Sequence, residues 1–187
     1  NIPQKVFVEG KVPGRIGNRY EFVYPYDSFE AKDGWVIIGI ANDGIWRRFL
    51  ETTGLEELDR PELVKNVSRV DNHEEIKAAI QSWVSERSVQ EVVSTMNGNG
   101  IPSCPIYDLK QASEDPHIGG ARKMTVEMEQ PGLGPVTLQG NPIKMSATDP
   151  GPRGPAPDLG GDTDSVLENL LDLSWKEIDA LRENGVL

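Results

Sequence analysis

NPIKMSATDPGPRGPAPDLGGDTD, residues 141–164, limits what this chain can fold into more than any other stretch. Five prolines and four glycines interrupt it, and its few apolar residues follow neither the strand nor the helix period. Proline fixes φ and removes a backbone donor, so no helix interior or central strand can run through such a segment. It reads as a linker that crosses a surface. Beyond it, DSVLENLL and SWKEIDALRENGVL read as two short helices. A helix pair of that size cannot bury a core of its own, so it has to dock on something else.

The most ordered pattern lies earlier, in FEAKDGWVIIGIANDGIW, Phe29 to Trp46. Phe29 and Ala31 alternate with charged neighbours, and Asp33-Gly34 between two apolar runs predicts a hairpin turn. Trp35 to Ala41 is nearly all apolar, which predicts a strand covered on both faces. Ile45, Trp46, Phe49 and Leu50 form one stripe of a following helix that stops at Gly54.

Other helices announce themselves by their caps. Asn72 with Glu75, Ser88 with Glu91 and Ser174 with Glu177 have the capping-box spacing. The first of these opens a helix with Ile76, Ala79, Ile80 and Trp83 on one side. Leu55 to Asp71 is a looser charged connection, and IPSCPIYDL is extended because of Pro102 and Pro105. Asp108 and Asp115-Pro116 each stand where a short helix begins. MTVEME and PVTLQG, joined by QPGLG, predict a second hairpin. Residues 1 to 20 show no period and read as an arm.

The expected organisation is therefore an α+β small domain of hairpins plus short helices, with long linkers and a C-terminal helix pair. The divisions fall at 1–20 for a basic linker arm and 21–130 for the small domain. Residues 131–187 hold the return strand, the linker and the terminal helices.

A formal charge of −11 over 187 residues repels nucleic acid and anionic membranes, so neither is an expected partner. The arm is the local exception, with Lys5, Lys11, Arg15 and Arg19 against Glu9. Cys104 is the one cysteine, which rules out an intrachain disulfide and fits a reducing, cytoplasmic setting. No apolar run approaches the roughly 18 residues of a membrane span. The chain opens on Asn1 rather than Met, as a processed product or a piece of a longer protein would.

Candidate chemistry is sparse. His73 and His117 both read as exposed, without the motif context of a nucleophile and base. Cys104, between two prolines, reads as a buried, inert thiol. The acids are scattered, with no HExxH and no EF-hand loop, so no metal site is expected and no catalytic residue is assigned within the chain. PGRIGNR, Pro13 to Arg19, offers glycines for close backbone approach and arginines for charge-assisted hydrogen bonds to an anion. Asn42 and Asp43 stand at a strand end, where they fit a helix cap better than catalysis.

Four stretches in series resemble family III CoA-transferases of the formyl-CoA transferase and carnitine CoA-transferase type. They are RIGNRYEFVYPYDSFEAKDGWVIIGIANDGIW, NGIPSCPIYDLKQASEDPHI, VTLQGNPIKMSAT and APDLGGDTDSVLENLLDLSWKEIDALRENGVL. The resemblance covers nearly everything from Gly14 onward and is to the second half of that family's proteins.

It implies an interlocked homodimer acting on coenzyme A, as an acyl-CoA, and a carboxylic acid. A large domain, preceding this portion, would carry the aspartate that forms acyl-anhydride and aspartyl-CoA intermediates. The chain by itself would then be inactive. By position, Gly14, Gly17 and Asn18 correspond to a glycine-rich loop that closes over the site. With Arg15 and Asn42 they make the expected substrate-binding set. The consecutive glycines of the formyl-CoA transferase loop are not present, which argues against oxalate as the acceptor. Asn42 stands where the family's racemase branch has a glutamate, and an amide cannot hold that charge. Two alternatives remain: an acyl-CoA racemase or isomerase of the same fold, and a non-catalytic interaction module.

Overall fold

The hairpin expected around Asp33-Gly34 forms, but with its turn one residue earlier: Lys32-Asp33 joins β1 (Tyr26–Ala31) to β2 (Gly34–Gly39), with Ala31 opposite Gly34 and Tyr26 opposite Gly39. β3 (Ser103–Ile106) pairs antiparallel with the other edge of β2, giving the order β1–β2–β3. These strands belong to a computed structural model that describes residues 2–187. Two units are present, residues 1–108 and 109–187.

The first unit also holds α1 (Ile2–Glu9), α2 (Asp43–Thr53), α3 (Asn66–Asp71), α4 (His73–Ser85) and α5 (Val89–Gly98). α4 packs on β1, and α5 on β2 and β3. Between sheet and helices lie Phe29, Val36, Ile38, Phe49, Ile76, Ile80, Val92 and Met96, all fully buried. Each large apolar side chain removed from water stabilises the fold by roughly 1.5–3 kcal/mol before chain entropy is counted.

Only one sheet face is covered, contrary to the expectation from the apolar run. Val36, Ile38 and Ile40 face the helices, whereas Trp35 is 44% exposed. Cys104, cross-strand from Ile37, is exposed rather than buried. The near-continuous hydrophobicity of β2 reflects an apolar outer face, not a second layer within this unit.

Three local expectations also need correction. Ile2–Glu9, within the expected arm, forms a helix, because Pro3 occupies the first turn, where its missing N–H costs nothing, and Gly10 closes the end by donating to Val6 O at 2.9 Å. Residues 55–71 are not loose: two 3₁₀ turns, Glu56–Leu58 and Pro61–Leu63, and then α3 bury Leu58, Leu63 and Arg69 completely. The Asn72–Glu75 capping box does not form. Asn72 is already the C-cap of α3, its amide Nδ2 donates to Ser68 O at 2.8 Å, and Glu75 pairs with Arg60. The boxes at Ser88–Glu91 and Ser174–Glu177 are complete.

In the second unit, α6 (Leu109–Glu114) leads into a π-type turn, Pro116–Ala121, capped by Asp115 Oδ1 through the N–H groups of His117 and Ile118. β4 (Thr125–Gln130) and β5 (Gly134–Gln139) form the second hairpin. Irregular chain then leads to α7 (Thr163–Leu171) and α8 (Trp175–Glu183), which pack on each other. Ile178 is the one fully buried apolar side chain described in this unit; Leu159, Leu170, Leu171 and Trp175 stand in solvent. This unit has almost no core of its own, as the linker and the helix sizes predict.

Candidate functional site

Glycine 17 sets the shape of the loop that precedes β1. Its φ of +74° lies in the left-handed region, and the turn reverses the chain so that residues 18–20 run along the β1 edge. Two bonds fasten it: Asn18 Nδ2 donates to Ser28 Oγ at 2.9 Å, and Tyr20 N donates to Tyr26 O at 2.8 Å. Gly14 and Arg15 lie exposed on the free side of the loop. Tyr20 also packs against Phe22 and Tyr26, with ring centroids 5.8 and 5.9 Å apart.

Asn42 follows the end of β2, at the same end of the sheet as Tyr26, and caps α2 through Oδ1, which accepts from Ile45 N at 2.9 Å. The cap expected from the sequence is present. The side chain is exposed, and its Nδ2 remains a donor at the strand end.

Asp43 does more than open the helix. Its carboxylate accepts from Arg69 Nη2 at 3.0 Å and lies 3.5 Å from Lys65 Nζ. The hydrogen bond from Arg69 comes first among the effects that hold this carboxyl below the ordinary aspartate range, and Lys65 adds to it. The Arg69 guanidinium is fully buried. It also donates to the carbonyls of Tyr24, Leu63 and Val64 at 2.9, 3.1 and 2.8 Å, and lies 5.2 Å from the Trp46 ring centre. One side chain thus ties the segment before β1 and the 3₁₀ turns to the start of α2.

A second charged pair joins β1 to α4. Asp27 shares the core-facing register of Phe29 and Ala31, and both its oxygens are engaged: Oδ1 by Ser28 N at 2.8 Å and Oδ2 by Lys77 Nζ at 2.6 Å. A buried carboxylate requires such partners. An acid on the apolar register of a strand was the readable signal for this pair; no local pattern marked Arg69. Beside Asp27, the buried Tyr24 hydroxyl has no hydrogen-bond partner among the described residues. Burial, then the Asp27 charge, pushes its pKa well above the ordinary phenol value, so it stays protonated.

The geometry offers donors for an anionic substrate at Arg15, Asn18 and Asn42, and among the described residues no assembled nucleophile and base. His73 Nδ1 lies 3.0 Å from Val70 O, and His117 is exposed. Among the described residues no group of three or more His, Cys, Asp or Glu could hold a metal ion. No helix among them is long and apolar enough to cross a membrane. Arg19, outside the expected set, is half-buried and lines a cleft of 440 Å³ with Lys5, Glu21, Phe22, Asp71 and His73.

The sequence profile of CoA-transferase family III matches residues 1–163. The chain belongs to that family. A succinyl-CoA:mesaconate CoA-transferase of Haloarcula marismortui is 34% identical over 86% of this chain and 40% of its own length. An acetyl-CoA:oxalate CoA-transferase of Acetobacter aceti is 33% identical over 80% of this chain and 38% of its own. Among solved structures, a CAIB/BAIF family protein from Brucella suis superposes with a TM-score of 0.74 at 23% identity, over 90% of this chain and 43% of that one. The family III chain described here spans about 40% of the length of these relatives. Its α+β architecture of small antiparallel sheets and helices is the one the sequence predicts.

Proposed function

We propose that this chain is the C-terminal portion of a cytoplasmic enzyme that moves CoA from an acyl-CoA to a carboxylic acid. The reaction runs through covalent aspartyl intermediates, with the nucleophile outside residues 1–187. The family match over residues 1–163, to CoA-transferases of which the chain spans about 40%, carries this reading.

In this scheme an aspartate carboxylate attacks the thioester carbonyl. A C–O bond forms, the C–S bond breaks, and CoA leaves as the thiolate. The thiolate attacks the aspartyl carbonyl of the anhydride, releases the donor acid and leaves aspartyl-CoA. The acceptor carboxylate reverses the sequence and regenerates the aspartate. Anhydrides and thioesters are lost to water, so the site needs a cover. The loop of Gly14 to Asn18 is that cover, hinged at Gly17 and held to β1 through Asn18. Arg15, Asn18 and Asn42 supply donors for the acid's carboxylate. The arm of residues 1–20 and the segment 131–187 connect the small domain, 21–130, to a large domain within an interlocked homodimer.

Succinyl-CoA, the donor named for the Haloarcula relative, is the first to test. The purified 187-residue chain is expected to transfer no CoA to any dicarboxylic acid. Joined to the preceding portion of the longer protein it is expected to turn over, and hydroxylamine is expected to trap a hydroxamate on an aspartate outside this chain. Turnover by the chain alone, or a hydroxamate within residues 1–187, overturns the reading.

A further inference from the structure

We propose that the cleft at the root of the β4–β5 hairpin is a binding site for a phosphate ester or diphosphate. The cleft measures 350 Å³ and is lined by Arg122, Lys123, Val126, Asn141, Lys144 and Asp149, with the Pro150–Pro152 turn as one wall. In a chain of charge −11, three cations converge here against a single acid.

These cations are not used elsewhere. Among the described residues none of the three forms an ion pair. Their hydrogen bonds go to backbone carbonyls at long range: Arg122 Nη2 to Pro142 O at 3.5 Å and Lys144 Nζ to Lys123 O at 3.3 Å. Both lie beyond the usual N–H···O range, so most of the donor capacity is open. Asp149 spends one oxygen on Gly151 N at 2.9 Å.

The backbone beneath is tightly built. Lys123 adopts φ +47°, uncommon for a residue with a side chain, and is held there by its N–H to Gly120 O at 3.1 Å. Gly140 packs so closely that a Cβ there would lie 2.1 Å from Lys123 O. Its N–H donates to Met124 O at 2.8 Å. Asn141 then folds the irregular segment back: Oδ1 accepts from Ile143 N at 2.9 Å and Nδ2 donates to Pro150 O at 3.3 Å. This brings Lys144 and Asp149 to the same cleft as Arg122 and Lys123.

Three positive charges and one negative leave an excess that matches a phosphate dianion better than a carboxylate. An arginine beside lysines suits tetrahedral oxyanions, since the guanidinium binds bidentately and the ammonium groups act as point charges. The volume, near the small end for ligand cavities, takes a diphosphate or a phosphorylated ribose and not an entire cofactor. The site does not depend on the transferase reading. CoA carries both a diphosphate and a ribose phosphate, so only the assignment of CoA as the occupant rests on it.

Calorimetric titration of the 187-residue chain at low ionic strength tests the site with inorganic pyrophosphate, adenosine 3′,5′-bisphosphate and CoA. Binding by at least one probe is expected. The double variant Lys123→Gln/Lys144→Gln should weaken it about tenfold or more. Asp149→Asn, which keeps an acceptor for Gly151 N and removes the one negative charge, should tighten it about twofold to fivefold. A misfolded variant cannot reproduce that gain. Lys32→Gln/Lys176→Gln, at residues that do not line the cleft, should leave binding unchanged. Tighter binding of CoA than of both smaller probes assigns the substrate to the cleft; equal or tighter binding of a smaller probe assigns a free phosphate ligand. No heat from any probe at millimolar concentration, or no weakening in the Lys123/Lys144 variant, or no tightening in Asp149→Asn, overturns the proposal. Transfer activity is read separately, so the two readings fail independently.

Discussion

Replacing Arg69 with methionine should remove a large share of this chain's stability, and the structure says where the loss arises. Methionine fills much of the same volume, so the packing loss is small. What disappears is a set of donors to the carbonyls of Tyr24, Leu63 and Val64, all reached from a fully buried guanidinium. Stranding a buried acceptor costs on the order of 1–3 kcal/mol. Two buried acceptors, Tyr24 O and Leu63 O, and the part-buried Val64 O, offset in part by no longer desolvating a cation, give a net loss of about 3 kcal/mol. Asp43 contributes little to that sum, because its side chain is 37% exposed and water can solvate it. Asp43→Asn should therefore cost at most about 1 kcal/mol, in the range of exposed ion pairs. Urea unfolding followed by tryptophan fluorescence reads both variants, since Trp46 lies against the guanidinium. With a slope of about 2 kcal/mol per molar, Arg69→Met should lower the midpoint by about 1.5 M. A cost below about 1 kcal/mol for Arg69→Met, or equal costs for the two variants, would refute the carbonyl-clamp argument.

Three further outcomes are expected. Arg69 depresses the Asp43 pKa in the folded chain, so the stability from this carboxylate is present above its unfolded pKa and is lost as pH falls through the folded value. Acid unfolding curves of the parent should fall more steeply below about pH 4 than those of Asp43→Asn, and parallel curves would contradict this. Tyr24→Phe removes a buried hydroxyl that has no partner among the described residues and should raise stability by about 1 kcal/mol, read as a higher midpoint of thermal unfolding. Ser88→Ala breaks a complete capping box and should cost about 1 kcal/mol, whereas Asn72→Ala, at a box that never forms, should cost clearly less in the same urea assay.

Much of the candidate site was legible along the chain. Gly17 and Asn18 could be read as a loop of small and donor-bearing residues, and Asn42 as a cap, because turn and cap chemistry is decided within four residues. The capping box expected at Asn72 failed because α3 runs up to it and holds Asn72 at φ −100°, ψ 26°, away from the extended geometry of an N-cap, which the spacing of Asn72 and Glu75 does not record. Cys104 and Trp35 were misplaced for a related reason. An apolar strand shows that both faces are greasy, but not whether a second layer covers both.

The sequence by itself determined the hairpins, the helix stripes, the irregular linker and the coreless terminal pair, since each follows from short-range sterics or from apolar period. Tertiary structure alone decided that Arg69 would be drawn inward to Tyr24 and Asp43, 45 and 26 residues away in sequence, and that Arg122, Lys123 and Lys144 would meet around one cleft. Charges act through space, and their partners depend on where the chain returns. That return is set by the packed sheet in one unit and by the close contact of Gly140 with Lys123 in the other.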